Sequence, residues 1–188
     1  MPFYFENFPT VNYDIKKNNN FNLLTNITLR YKIQSKLKDK RAVFYDYQIK
    51  DGQRGDEIAF KYYGDETLDW VIYITNDIVD PQFDWPMDHR VFTNFIKEKY
   101  TTISSAKSTI HHYEKILNSQ SVRADGSIIP ERYVEVDLTT YNLTSTSSRR
   151  IIYNYDHEDR LNEKKRSIKL LQDRYIQSVL EEVENIFE

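Results

Sequence analysis

Residues 45–86 constrain the fold of this chain more than any other part of its sequence. The segment contains three of the four glycines and both tryptophans, so turns and large apolar anchors are concentrated in it. At its start, Tyr45, Tyr47 and Ile49 alternate with polar residues, a period of two that is typical of a half-buried strand. Gly52 then ends the strand, because glycine accepts the positive φ of a tight turn.

Two helices are predicted after this turn. The first stops at Gly64, a residue type that is common just past a helix C-terminus. Asp65 can cap the second helix by accepting a hydrogen bond from a first-turn amide, and Pro81 marks its end because proline disfavours helix at the preceding residue. The apolar positions at helical spacing are Ile58, Ala59, Tyr62 and Tyr63 in the first helix and Leu68, Val71, Ile72 and Thr75 in the second.

An extended return through Phe83 to Trp85 is expected to form a second strand. The predicted order is therefore strand, helix, helix, strand, in a compact recognition unit without residues in a catalytic spacing. The sequence as a whole predicts an α+β fold: this unit, a β-rich extension and a C-terminal amphipathic helix.

This order of elements resembles the LysM domain, in which two short helices pack on one face of a two-stranded antiparallel sheet. The segment is more closely similar to the baseplate wedge protein family of contractile-tailed bacteriophages, a small subunit that fastens neighbouring wedges together. A second block resembles that family's C-terminal signature and not the LysM domain. The matching residues are Tyr47-Gln48-Ile49-Lys50-Asp51-Gly52, Ile58-Ala59, Tyr62-Tyr63-Gly64-Asp65, Trp70-Val71-Ile72, Asn76-Asp77-Ile78, Asp80-Pro81 and Trp85-Pro86, followed in the second block by Leu161-Asn162-Glu163-Lys164-Lys165-Arg166 and Ile168-Lys169-Leu170-Leu171.

The resemblance implies a structural protein of the virion that joins neighbouring wedge subunits of the tail baseplate by protein–protein contacts. Its implied partners are the other wedge subunits, in a hetero-oligomer within a six-fold assembly that forms in the host cytoplasm. No enzyme activity, cofactor, nucleic acid or membrane partner is expected.

A LysM-type module that binds peptidoglycan is the alternative function, and an accessory component of a lytic or tape assembly is a third. A typical LysM turn carries Gly-Asp-Thr-Leu, whereas this chain has Gly52-Gln53-Arg54-Gly55. The difference alters a loop that helps form the sugar groove of glycan-binding LysM domains. Gly55 also stands where the wedge family often has a proline that opens the helix.

Composition agrees with a structural role. The chain has 188 residues, of which 39% are hydrophobic and 29% charged, and its 15 Tyr and 10 Phe favour interfaces because a tyrosine ring buries area while its hydroxyl stays hydrogen-bonded. A formal net charge of -3 does not favour a nucleic acid or an anionic membrane surface. The absence of cysteine excludes disulfides and thiolate metal sites. No signal peptide or membrane span is predicted.

Four segments are predicted along the chain: an N-terminal arm at 1–40, a LysM-like domain at 41–100, a β-rich extension at 101–148 and a C-terminal strand and helix at 149–188. Asp88 is expected to cap a helix, and Gly126 to lie in a hairpin turn. Residues 138–148 are rich in Thr, Ser and Asn and predict a mobile link.

Aromatic and apolar residues of the arm, the central unit and the C-terminal helix are the candidates for partner binding, because large aromatics dominate interface hot spots as well as cores. Core burial is favoured for Trp70, and Trp85 is left open between core and interface. The candidates are Phe3, Tyr4, Phe5, Phe8, Tyr62, Tyr63, Trp70, Trp85, Tyr175, Val179, Val183 and Phe187.

Candidate metal or catalytic residues fail on spacing. His111 and His112 are adjacent, so in a regular strand they face opposite sides and share no metal ion. Residues 156–159, Asp-His-Glu-Asp, lack the alternating ligands of a calcium loop and predict a solvated helix face. Neither a nucleophile elbow nor a phosphate-binding glycine loop is present in the sequence.

Overall fold

A computed structural model of the chain describes residues 4–33 and 43–186. The chain forms two compact units. One combines Met1–Pro86 with Lys165–Glu188 and is called the discontinuous unit; the other, Met87–Lys164, is called the inserted unit. The contacts therefore group the residues differently from the four predicted segments.

Helices and strands alternate irregularly along the chain, as expected for an α+β fold. Among the described residues up to Pro86, the elements are β1 (Thr10–Tyr13), β2 (Asn22–Thr25), β3 (Phe44–Gln48), α1 (Gly55–Tyr63), a 3₁₀ turn (Glu66–Leu68), α2 (Asp69–Thr75) and α3 (Pro81–Asp84). The inserted unit has α4 (His89–Tyr100), α5 (Ile103–Ser108), β4 (Ile110–Asn118), β5 (Ser121–Val122), β6 (Ile128–Ile129), β7 (Arg132–Val136), α6 (Leu138–Leu143), a 3₁₀ turn (Thr146–Ser148), β8 (Arg149–Tyr153) and α7 (Asn154–Lys164). The chain ends with β9 (Ser167–Leu171), a 3₁₀ turn (Asp173–Tyr175) and α8 (Ile176–Asn185).

The core of the discontinuous unit lies where α1 and α2 pack with the antiparallel pair β3 and β9. The two strands pair from Phe44 opposite Leu171 to Gln48 opposite Ser167. The two predicted helices form, with Gly64 at φ 75° after the first and the Asp65 carboxylate accepting the Thr67 amide 2.8 Å away before the second. Their predicted apolar positions include the fully buried side chains Ile58, Ala59, Leu68, Val71 and Ile72.

The prediction of a closing strand through Phe83 to Trp85 is wrong. Pro81–Asp84 is a helical turn, because the Asp80 carboxylate caps it by accepting the Gln82 amide at 2.9 Å and Pro81 supplies the helical φ at its first position. The strand that pairs with β3 is β9, far along the chain. Asn76 fixes that strand by donating to the Lys169 carbonyl at 2.8 Å and accepting the Lys169 amide at 2.7 Å.

The inserted unit is built on a three-stranded antiparallel sheet in the order β7, β4, β8. Its apolar core is formed by Phe92 and Ile96 of α4 with Ala106 of α5. The predicted Asp88 cap is present, accepting the Val91 amide at 2.8 Å. Residues 138–148, which were predicted to be a mobile link, form α6, capped by Asp137, and a 3₁₀ turn.

Gly55 opens α1 at a position where a side chain has no room. A Cβ atom there would overlap the hydroxyl of Tyr73 and lie 2.8 Å from the Tyr73 Cζ atom. Tyr73 is held in turn by Trp85, whose ring meets it edge-on with centroids 5.7 Å apart, and burial raises the Tyr73 pKa to about 12.

We expect Gly55→Ala to lower the free energy of unfolding by about 1–3 kcal/mol, because overpacking forces Tyr73 away from Trp85. Urea denaturation followed by tryptophan fluorescence measures the change. In a Tyr73→Ala background the same substitution is expected to be neutral or slightly stabilising, since alanine favours helix more than glycine. Equal costs in the two backgrounds would contradict the steric explanation.

Candidate partner-binding surface

The aromatic residues of the N-terminal arm pack on the chain's own helix α2. The Tyr4 ring lies with its centroid 5.2 Å from that of Phe8, 5.4 Å from Tyr31 and 5.8 Å from Trp70. Phe8 and Trp70 are each only 5% exposed, whereas Phe5 is 46% exposed. The arm is thus anchored within the discontinuous unit, and Phe5 is the member of this cluster that keeps a large exposed surface.

The candidate aromatics of the central unit divide between burial and exposure. Tyr62 is 38% exposed and meets the Tyr47 ring edge-on, 5.4 Å between centroids. Tyr63 is half-buried, and burial raises the pKa of its phenol. Trp85 is also half-buried, and its indole Nε1 donates to the Gln53 carbonyl at 2.9 Å. Trp85 therefore fixes the turn after β3.

The C-terminal candidates lie along α8 and the turn before it. Val183 belongs to the buried core, while Tyr175 and Val179 are half-buried against it. These three residues line a cleft of about 240 Å³ together with Phe44 and Tyr31. Among the predicted partner-binding residues, Phe3 and Phe187 lie outside the described residues.

The exposed apolar face of the β1–β2 hairpin was not anticipated from the sequence. In the β1–β2 hairpin, Val11 pairs with Leu24, and Tyr13 lies on the same face two residues after Val11. Val11 is 43% exposed, Tyr13 59% and Leu24 39%, and Leu23 on the opposite face is 67% exposed. The alternation of Val11 and Tyr13 in the sequence indicates one apolar face of a strand. Only the pairing register shows that Leu24 lies on the same face.

Charged groups of the inserted unit are engaged with one another. The fully buried Glu114 accepts hydrogen bonds from Arg150 Nη2 at 2.7 Å and Arg160 Nη1 at 2.6 Å. Burial alone would raise its pKa, but hydrogen bonds from Arg150, Arg160 and His112 together hold the pKa below its usual value. These contacts give Glu114 a structural role.

The prediction that residues 156–159 form a solvated helix face is wrong for Glu158. Its side chain is buried, and Oε1 accepts hydrogen bonds from Lys99 Nζ and the Tyr100 hydroxyl, both at 2.7 Å. Burial opposes ionisation, yet these bonds keep the Glu158 pKa below its usual value. The carboxylate therefore ties α7 to α4.

The prediction that His111 and His112 face opposite sides of the sheet is also wrong. Their Nδ1 atoms lie 2.7 Å apart, and the His157 ring stacks on that of His111 with centroids 3.8 Å apart. The spacing argument against a shared ligand therefore does not hold in this fold.

The described helices, in residues 4–33 and 43–186, include none with the length and apolar character needed to cross a membrane. A comparison with curated protein sequences finds no match. Residues 3–120, more than half of the chain, match a protein-family model.

This match assigns the chain to the structural proteins of a phage tail baseplate. The matched model is described as "Base plate wedge protein 53", and the chain belongs to this family. Family membership places the protein in the virion tail and implies assembly with other baseplate subunits.

Proposed function

We propose that this protein joins neighbouring wedge subunits of the baseplate and that the β1–β2 hairpin is its main attachment surface. The observation that carries the proposal is the apolar hairpin face of Val11, Tyr13 and Leu24, all of them exposed. Exposed apolar clusters of this kind mark protein–protein contacts in soluble chains.

The hairpin also has backbone groups to offer a partner. Among the described residues its sheet has two strands, so β1 and β2 each have an edge without a neighbouring strand. An unpaired edge accepts a strand of another chain by main-chain hydrogen bonds, while pockets for the side chains give specificity. A wedge subunit that covers this face would bury both the apolar side chains and one edge.

The remainder of the discontinuous unit supplies a rigid base for this attachment. Two helices on a two-stranded antiparallel sheet are the arrangement of a LysM-like unit, which supports the resemblance stated from the sequence. The packing of Tyr4 and Tyr31 on Trp70 holds both ends of the arm on this base. In the proposed assembly, the protein takes part in a six-fold hetero-oligomer formed in the host cytoplasm.

Glycan binding is less well supported by the turn after β3. The Gln53 side-chain oxygen accepts hydrogen bonds from the Tyr47 hydroxyl at 2.8 Å and the Lys50 amide at 3.2 Å, and the Gln53 carbonyl accepts the Trp85 indole. The polar groups of this turn are thus used within the chain, which favours a structural turn over a sugar groove.

The proposal predicts that Val11→Thr/Leu24→Thr reduces co-purification with the other baseplate proteins of the same phage by at least about tenfold. The two residues are a cross-strand pair, and threonine keeps the preference for strand while removing apolar contact area worth more than about 1.4 kcal/mol. The measurement is quantitative pull-down from cells that express the full set of baseplate genes.

The inserted unit offers a matched control, Val122→Thr/Ile128→Thr, in its own two-stranded hairpin. Val122 and Ile128 are also a cross-strand pair, 67% and 62% exposed. We expect this variant to co-purify as the unmodified protein does, and both variants to keep their melting temperature. Unchanged co-purification of Val11→Thr/Leu24→Thr, or an equal loss in the control, would refute the assigned surface.

A further inference from the structure

Three of the four histidines of the chain lie together in the inserted unit. His111 and His112 are consecutive residues of β4, and His157 lies in the first turn of α7. One ring nitrogen from each of the three can be chosen so that all lie within 4.8 Å of one another. This grouping has no part in the attachment proposed for the hairpin.

An irregularity in β4 brings the two consecutive histidines to one side. Ile110 pairs with Tyr153 and His112 with Ile152, so His111 is an extra residue in the ladder, as in a β-bulge. A bulge interrupts the alternation of side chains that separates neighbours in a regular strand. The bulge therefore explains how two adjacent imidazoles come within 2.7 Å of each other.

The start of α7 is fixed beside this bulge. Helix α7 begins directly after β8, and the Asn154 amide donates to the Thr109 carbonyl, one residue before β4, at 3.0 Å. His157 follows within one turn, which places its ring 3.8 Å from the His111 ring at an interplanar angle of 10°. The third imidazole is thus held by the backbone of two elements.

A buried carboxylate orients one ring of the cluster. His112 Nε2 lies 3.2 Å from Glu114 Oε1, and Glu114 is held by Arg150 and Arg160. Metal-binding histidines commonly use one ring nitrogen for a carboxylate in this way and the other for the metal. Here the second nitrogen of His112, Nδ1, is the one that faces His111.

We propose that His111, His112 and His157 bind a divalent transition-metal ion of the zinc class, with water at a fourth position. Imidazole suits such ions, and three protein ligands with an open fourth position is a known zinc arrangement. Zinc–nitrogen bonds of about 2.0–2.1 Å place two ligand nitrogens about 3–4 Å apart, so closing from 4.8 Å needs a shift of about 1 Å. Because the His111 and His157 rings are stacked, one ring must turn about its Cβ–Cγ bond, and the exposed His111 has room to do so.

The bound ion would connect the β4 bulge to the start of α7. The proposal concerns this unit alone and stands whether or not the hairpin is the attachment surface.

The test uses the full-length protein without a histidine tag, titrated with Zn²⁺ alone by isothermal titration calorimetry, and with Co²⁺ followed by visible absorption. We expect one ion per chain and the absorption of low-coordinate cobalt. His157→Gln is expected to weaken Zn²⁺ binding at least about tenfold, since loss of even an outer-sphere partner of a metal site costs that much. His89→Gln removes the exposed fourth histidine, at the start of α4, and is expected to bind as the unmodified chain does.

Far-UV circular dichroism checks that each variant is folded. If His157→Gln does not fold, His111→Gln makes the same test, because His111 is exposed and its replacement leaves the buried contacts of Glu114 in place. Absence of Zn²⁺ binding by the unmodified chain would overturn the proposal. Unweakened binding by a folded His157→Gln or His111→Gln variant would also overturn it.

Discussion

We expect Trp70→Ala to lower the free energy of unfolding of the discontinuous unit by about 4 kcal/mol, as for other large aromatic side chains removed from a core. Trp70 is 5% exposed, and its ring centroid lies 5.8 Å from Tyr4 and 6.1 Å from Tyr31. The substitution removes core volume and also the surface on which both ends of the arm pack. The arm residues are therefore expected to become sensitive to limited proteolysis.

Urea denaturation followed by far-UV circular dichroism measures the change in stability. Phe60→Ala is the matched control, since Phe60 is an aromatic residue of α1 that is 61% exposed, and we expect it to change the free energy of unfolding by no more than about 0.5 kcal/mol. A cost below about 1 kcal/mol for Trp70→Ala would show that the arm and Trp70 are not packed as described. Such a result would return Trp70 to the set of candidate interface residues.

The parts of the fold that follow from local sequence were predicted well. Gly64 ends α1, Asp65 caps the turn before α2, and Asp88 caps α4, each as its residue type favours. These features depend on a few neighbouring residues. They could be predicted because no distant part of the chain competes for the same backbone groups.

The pairing of strands could not be predicted in the same way. Residues 83–85 have aromatic residues in alternation, which favours a strand, but Asp80 and Pro81 also begin a helix. The strand that pairs with β3 is β9, and the whole inserted unit lies between the two strands in the sequence. Asn76 stabilises β9 by hydrogen bonds to the backbone of Lys169. A local pattern carries no information about a partner at that separation.

The candidate surfaces also depend on strand pairing, which the local sequence does not determine. The apolar side chains of the hairpin were not identified as a surface from the sequence, because their common face depends on the pairing of Val11 with Leu24. His111 and His112 were predicted to face opposite sides of the sheet, as neighbours do in a regular strand. The extra residue in β4 makes that prediction wrong. In both cases the register of a strand pair decided the site.

The C-terminal helix, predicted to bind a partner, packs largely into the chain's own core. Its apolar positions Ile176, Leu180 and Val183 belong to the buried core of the discontinuous unit, while Val179 is half-buried. Deleting the chain from Asp173 onward would therefore remove part of this core, and loss of assembly by such a variant would follow from unfolding as readily as from a lost interface. Partner binding by Tyr175 and Val179 stays a prediction that only substitutions of single side chains can test.

Glu114→Gln is expected to lower the free energy of unfolding at pH 7 by about 3 kcal/mol. Removing one member of a buried ion pair leaves its partners uncompensated and costs about 3–5 kcal/mol. Arg150 and Arg160 are partly exposed, with side chains 33% and 37% accessible, so they regain some hydration and the lower end applies. Glu131→Gln is the matched control, because Glu131 also accepts a hydrogen bond from Arg150 but is 29% exposed, and we expect a cost below about 1 kcal/mol.

The difference between the unmodified protein and Glu114→Gln is expected to depend on pH in one direction. The pKa of Glu114 in the folded protein is below its usual value of 4.5, so its ionised form stabilises the fold fully above about that pH. As the pH falls through the lower, folded-state pKa, the carboxylate takes up a proton and this stabilisation is lost. Urea denaturation at several pH values between 7 and 3 should show the two proteins converging in acid, whereas a constant difference would mean that Glu114 acts through its shape and not through its charge.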